Sequence, residues 1–236
     1  MTRRLILLRH GQTDYNATGR MQGHYDSSLS DIGRAQARAV VEPLRSFGIT
    51  RILSSDLTRA HDTATPFAEA LGLPVEKDRR LRETDLGEWQ EKTSVEVDAA
   101  HPGARAIWRR DVNWAPPGGE THLEVGARAR AVVDELMTRY DDWDSGAVLI
   151  VAHGGTLKAL TASLLNIAPE QLPILNGPDN CHWAKLTARP PFHPGSRDAL
   201  GDADQIMPEA IFTPENVSRA RWYLDVWNAG VNYPAA

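Results

Sequence analysis

The sequence predicts an α/β fold, a three-layer sandwich in which a mainly parallel central sheet is flanked by helices. Three observations carry that expectation. Leu5-Ile6-Leu7-Leu8 and Val148-Leu149-Ile150-Val151-Ala152 are short, uninterrupted apolar runs, the pattern of strands buried on both faces. Each run ends in histidine and glycine, at Arg9-His10-Gly11 and at His153-Gly154-Gly155, where strand gives way to helix. Strand-like and helix-like segments alternate after the first run, as parallel pairing requires.

The elements follow in order. A polar stretch to Asp26 comes after the first strand, and Ser30, a good N-cap, opens a helical pattern to about Ser46 with Ala35, Ala39, Val40 and Leu44 on one face; Gly48 closes it. Arg51 to Ser55 reads as a second strand, and Asp56 or Thr58 begins a helix that ends before Gly72 and Pro74. From about Thr93 to Asp142 the chain is mainly helical, broken at Ala115-Pro116-Pro117-Gly118-Gly119; Val125, Ala129, Val132, Leu136 and Tyr140 mark the buried face of the later helix. After the strand before His153, a helix is expected from about Thr156 to Leu165. An irregular excursion rich in Pro, Gly, Asp and Ala occupies about 190–214, and Arg221 to Trp227 reads as a closing strand.

Composition narrows the classes. The 236 residues, 42% hydrophobic and 24% charged, suit a single globular domain spanning 1–236. A net charge of -5 argues against a nucleic-acid partner, because such proteins neutralise phosphates with clustered positive charge. No run approaches the ~20 apolar residues of a membrane span, so no membrane association and a cytoplasmic location are expected. The single cysteine, Cys181, cannot form an intramolecular disulfide and is expected to be buried filler.

Ligands of open α/β sheets bind at the carboxyl ends of strands. Two histidines there, with Arg9 beside one of them, suggest an anionic substrate, phosphate above all. Arg59 falls in the first turn of a helix that follows a strand, where free N–H groups already favour an anion. Leu81 to Trp89 carries Glu83, Asp85 and Glu88, any of which could supply the proton that a leaving group needs. The histidines lack the close spacing of metal ligands, and arginines would repel a cation, so neither metal nor other cofactor is expected.

Taken together, these segments resemble the histidine phosphatase superfamily, the phosphoglycerate mutase-like fold. The likeness is carried by Arg9-His10-Gly11-Gln12-Thr13 with Asn16, by Leu29-Ser30 with Gly33 and Gln36-Ala37, by Ser54-Ser55-Asp56-Leu57 with Arg59-Ala60 and Thr63-Ala64, and by Ala152-His153-Gly154-Gly155. The resemblance implies that His10 is the nucleophile and becomes phosphorylated, and that Arg9, Arg59 and His153 bind phosphoryl oxygens. It further implies that Glu83 is the proton donor and acceptor, with Asp85 the alternative, that Asn16 lines the phosphate pocket and that Gln22-Gly23 line the substrate entrance. A neutral imidazole can attack phosphorus without a separate base. The mutases of this superfamily carry Glu-Arg-His-Tyr-Gly at the acid; here Glu83-Thr84-Asp85-Leu86-Gly87 stands instead, which argues for a phosphatase.

Further stretches, among them Arg20-Met21-Gln22-Gly23, Trp114-Ala115-Pro116 and Arg221 to Asn228, resemble actinobacterial members that dephosphorylate a glucosylated phosphoglycerate. A small phosphorylated substrate and a homodimer are implied. Trp89, Trp108 and Trp114, with Arg109 or Arg110, are candidates for contacts beyond the phosphate, and equally for core and surface. A catalytically inert binder of phosphorylated ligands is the other class; the intact set of His10, Arg59, Glu83 and His153 disfavours it.

Overall fold

A computed structural model describes residues 2–191 and 211–231. Its centre is a six-stranded sheet built from β1 (Arg3–Arg9), β2 (Ile49–Ser54), β3 (Val75–Lys77), β4 (Ala147–Ala152), β5 (Trp183–Arg189) and β6 (Arg221–Ala229), in the order β3-β2-β4-β1-β5-β6. The first four strands in that order are parallel, while β5 runs antiparallel to β1 and β6 antiparallel to β5.

Side chains on a strand alternate between faces, and β1 shows what this does. Leu5 and Leu7 pack with Ala129, Val132, Leu157 and Leu160 from α7 (His122–Arg139) and α8 (Gly154–Leu164). Ile6 and Leu8 point the other way, onto Ala37 of α2 (Asp31–Ala39) and Ala60, Ala64 and Phe67 of α4 (Thr58–Leu71). All four β1 residues are fully buried, each worth roughly 1.5–3 kcal/mol relative to exposure. Helices on both faces of one sheet make the three layers that the apolar runs predict.

Local chemistry explains the boundaries. Thr13 caps a short α1 (Asp14–Ala17), and Ser30 Oγ accepts from Gly33 N at 3.1 Å and caps α2. The single helix expected to Ser46 is instead α2 followed by α3 (Val41–Arg45), because Pro43 has no N–H to give to the Ala39 carbonyl. α4 has no cap of its own; the Asp26 carboxylate accepts from Thr58 N at 2.7 Å and Thr58 Oγ1 at 2.8 Å. The middle of the chain forms α5 (Ser94–Ala100), α6 (Ala104–Arg110) and α7, with the expected break between the last two; Tyr140 falls just past the end of α7. α8 starts at Gly154 rather than Thr156, directly after His153.

Two strands escaped the sequence reading, β3, with three residues, and β5, whose interior Lys185 and Thr187 interrupt the apolar pattern. The closing strand is β6, at the sheet edge beside β5. Of the expected excursion, 192–210 lies outside the described residues; from Ile211 the chain packs back, with Val217 buried and the Arg3 guanidinium 4.8 Å above the Phe212 ring.

Candidate active site

Parallel pairing sets Arg9 opposite Ala152, so His10 and His153 leave adjacent strands side by side. Their ring centroids lie 5.1 Å apart, inclined at 59°. His10 Nδ1 is 2.7 Å from the Gly11 carbonyl oxygen. A carbonyl only accepts, so the proton sits on Nδ1 and Nε2 keeps its lone pair. Burial, then Arg59 and Arg9, hold the His10 imidazole well below its ordinary range. Burial, Arg59, His10 and Arg9 act in the same direction on His153, so both rings are neutral near pH 7.

The loop after β1 is locked to its neighbours. Gly11 N donates to Thr63 Oγ1 at 3.0 Å, and Thr63 Oγ1 donates to Arg59 O at 2.7 Å, which ties the His10 loop to α4. A Cβ on Gly33 would stand 2.0 Å from Gln12 O, so only glycine lets α2 approach the loop this closely. The motif residues of α2 therefore shape the site from outside it.

Arg59 is fully buried, with Nη1 donating to Tyr25 O and Nη2 to Gly23 O, each at 2.8 Å. Burial brings it down to about 10, which leaves it charged at neutral pH. Arg9 Nη1 donates to Pro178 O at 2.8 Å. The Nε of each arginine, both ring nitrogens of His153 and Thr84 Oγ1 are buried polar atoms with no hydrogen-bond partner among the described residues.

Glu83 follows a tight turn at Arg79–Leu81. Its carboxylate accepts from Thr84 N at 2.8 Å, Thr156 N at 3.1 Å and Gly155 N at 3.2 Å. The last two belong to the first turn of α8, whose N–H groups have no partner within the helix. The Glu83 carbonyl in turn accepts from His24 Nε2 and Arg128 Nη2, both at 2.8 Å. Arg128 also donates to the carbonyls of Arg80 and Arg82 at 2.7 Å and pairs with Glu120 at 2.9 Å, clamping the segment that carries Glu83.

A cavity of about 320 Å³ opens onto these groups. Arg9, His10, Asn16, Gln22, Gly23, Arg59 and Glu83 line it; His153, fully buried, is not on the wall and packs ring to ring against His10. Asn16 Oδ1 accepts from Thr13 N and Asn180 Nδ2, and its own amide hydrogens have no partner among the described residues. Asp85 does not line the cavity; its Oδ1 caps Gly87 N at 2.9 Å. Of the tryptophans only Trp108 reaches the wall; Trp89 is fully buried and packs with Trp114. Arg109 lines the rim and Arg110 does not. Cys181 is buried filler, with burial pushing its thiol up to about 12.

Several residues were not legible beforehand. Thr84, His122, Lys158 and Gly177 line the same cavity, and Asn180 Nδ2 donates to His10 O at 2.9 Å. Lys158, four residues after Gly154 on a helix that starts at the site, carries a signal that helical spacing could have found. His122 and Asn180 come from distant segments and carry none. Among the described residues, no group of three or more His, Cys, Asp or Glu is placed to hold a metal ion.

Two neutral imidazoles flanked by buried arginines, with a carboxylate held at a helix start, define a phosphoryl-transfer enzyme. The model of the histidine phosphatase superfamily (branch 1) matches residues 5–191, and the chain belongs to that family; it is a phosphatase. It is 47% identical over 231 residues to a protein of Mycolicibacterium vanbaalenii named glucosyl-3-phosphoglycerate phosphatase, covering 96% of this chain and 95% of that one. A Mycobacterium tuberculosis protein of the same name is 45% identical over 232 residues, with the same coverage. The solved structure of mycobacterial glucosyl-3-phosphoglycerate phosphatase with VO3 superposes with a TM-score of 0.83 at 43% identity, covering 97% of this chain and all of that one.

Proposed function

We propose that the chain hydrolyses the phosphomonoester of glucosyl-3-phosphoglycerate to glucosylglycerate through a phosphohistidine on His10. The observation that carries this reading is likeness over nearly the full length to proteins named for that substrate, including the stretches outside the catalytic core. Geometry supports the roles. The Nε2 lone pair of His10 attacks phosphorus, the ester P–O bond breaks, and Glu83 delivers a proton to the leaving oxygen. Glu83 then takes a proton from water, whose oxygen attacks phosphorus and breaks the N–P bond, releasing phosphate. Arg9, Arg59, His153 and Asn16 hold the equatorial oxygens, arginine binding two at once, and stabilise the charge that builds there. Gln22 and Gly23 form the entrance.

The proposal extends to residues 1–236 acting as one catalytic domain, and to a cytoplasmic homodimer. A single sheet shared by all described strands supports the first. No helix among the described residues is long and apolar enough to cross a membrane. Kinetics on a panel of phosphoesters test the substrate: kcat/KM should be highest for glucosyl-3-phosphoglycerate, above 3-phosphoglycerate and simple sugar phosphates, with little mutase activity. A flat profile would leave a broad-specificity phosphatase. Light scattering tests the dimer.

A further inference from the structure

We infer that Lys158 reads the carboxylate of the substrate and so sets this phosphatase's preference for phosphoesters of an acidic alcohol. The inference rests on the proposed substrate, whose glycerate carboxyl lies three bonds from the ester oxygen.

Lys158 lines the catalytic cavity and sits one turn beyond Gly154 on α8, about 6 Å along the axis at 1.5 Å per residue. Helical side chains lean back toward the N-terminus, so its ammonium reaches toward the end of α8 where His153 stands. Gly154 and Gly155 put no side chain in the way. Lys158 is half-buried and has neither a hydrogen bond nor an ion pair among the described residues; burial alone pulls its ammonium down. An unpaired cation withdrawn from water is unfavourable unless an anion joins it.

The other cations of the wall are otherwise engaged. Arg9 and Arg59 flank His10, and Arg20 donates to Glu91 O at 2.8 Å and meets Glu96 at 3.4 Å. Arg109 is exposed at the rim. Among the described residues Glu83 is the single carboxylate of the wall, and it is held by backbone N–H groups. Lys158 also lies near His122, whose imidazole is held low by burial first and then by the Lys158 charge. His122 Nε2 meets Trp108 O at 3.1 Å, so the neutral ring keeps an accepting Nδ1, which is buried and without a partner. A cation and an acceptor beside the phosphate pocket suit a carboxylate that carries a hydroxylated neighbour.

The test compares kcat/KM for 3-phosphoglycerate and glycerol 3-phosphate, which differ in a carboxylate, on one preparation of each variant. Their ratio is independent of the fraction folded. In Lys158→Met it should fall roughly 10- to 100-fold, the range of one charge-assisted hydrogen bond, mainly through KM for the carboxylated ester. Lys158→Arg should restore most of it. An unchanged ratio in Lys158→Met, or a wild-type enzyme without preference for the carboxylated ester, overturns the assignment. Failure of the wild type to favour glucosyl-3-phosphoglycerate over 3-phosphoglycerate would sink the substrate reading instead, while the ratio still decides Lys158.

Discussion

Replacing Gly155 with alanine should damage the acid while sparing the phosphate pocket. The added Cβ would stand 2.6 Å from Glu83 Oε1 and 2.8 Å from Thr84 Oγ1, whereas ordinary contact begins at 3.4 Å. Backbone fixes the Cβ, and the Glu83 backbone is clamped by Arg128 and His24, so the carboxylate must yield by something near 1 Å. That retreat costs it the bonds from Gly155 N and Thr156 N. A misplacement of this size at a catalytic group costs on the order of 10²-fold in rate. Steady-state kinetics on alkyl and aryl phosphates should show a kcat loss of that order for the alkyl ester, whose leaving group needs the proton, and a much smaller loss for p-nitrophenyl phosphate. Vanadate inhibition should persist, since Arg9, Arg59 and His10 are not displaced. Equal losses for both ester types, or wild-type kcat, would refute the reasoning.

His10→Ala should abolish turnover, and rapid quench with labelled substrate should trap an acid-labile phosphoenzyme in the wild type and none in the variant; near-normal activity would end the covalent mechanism. His10 and His153 both titrate lower in the folded protein than the ordinary 6.5, so the unfolded chain binds more protons just below that pH and stability falls as pH drops through it. The slope is at most about 1.4 kcal/mol per pH unit for each ring; thermal melts from pH 7 to 5 should decline steeply in wild type and less so in His10→Ala. Arg128→Met removes one donor from each of the carbonyls of Arg80, Arg82 and Glu83, of which the last two keep Thr156 Oγ1 and His24 Nε2; this should lower stability by about 1–3 kcal/mol in denaturant melts and reduce kcat for alkyl esters more than it raises KM. Unchanged kcat would show that the clamp does not position Glu83.

The repeated pattern of apolar run, histidine and glycine was enough to place β1, β4 and both histidines, because buried parallel strands and their C-terminal ends carry a strong local signature. It could not show that β1 and β4 are neighbours, a relation that only pairing reveals. Lys185 and Thr187 are partly exposed and hid β5, and Pro43 divided a helix whose apolar face runs straight through. In the sequence, Glu83 is preferred over Asp85 by resemblance and by its earlier exit from Leu81; in the structure the α8 N–H groups meet the Glu83 carboxylate and not that of Asp85. Trp89 and Trp114 show the opposite limit, since aromatic residues beside a charged segment read alike whether they meet a ligand or each other.

The site takes its two histidines from opposite halves of the chain, set side by side by the β1–β4 ladder. No fragment and no partly folded form without that ladder owns an oxyanion pocket. Under the proposed function, phosphate or vanadate would be a ligand of the finished topology alone, and binding it would add RT ln(1 + [L]/Kd) to the stability of that state and to nothing that precedes it. Because a contact so distant in sequence forms late and slowly, recovery of anion binding during refolding would time the closing of the sheet's centre, which bulk helix content would report too early.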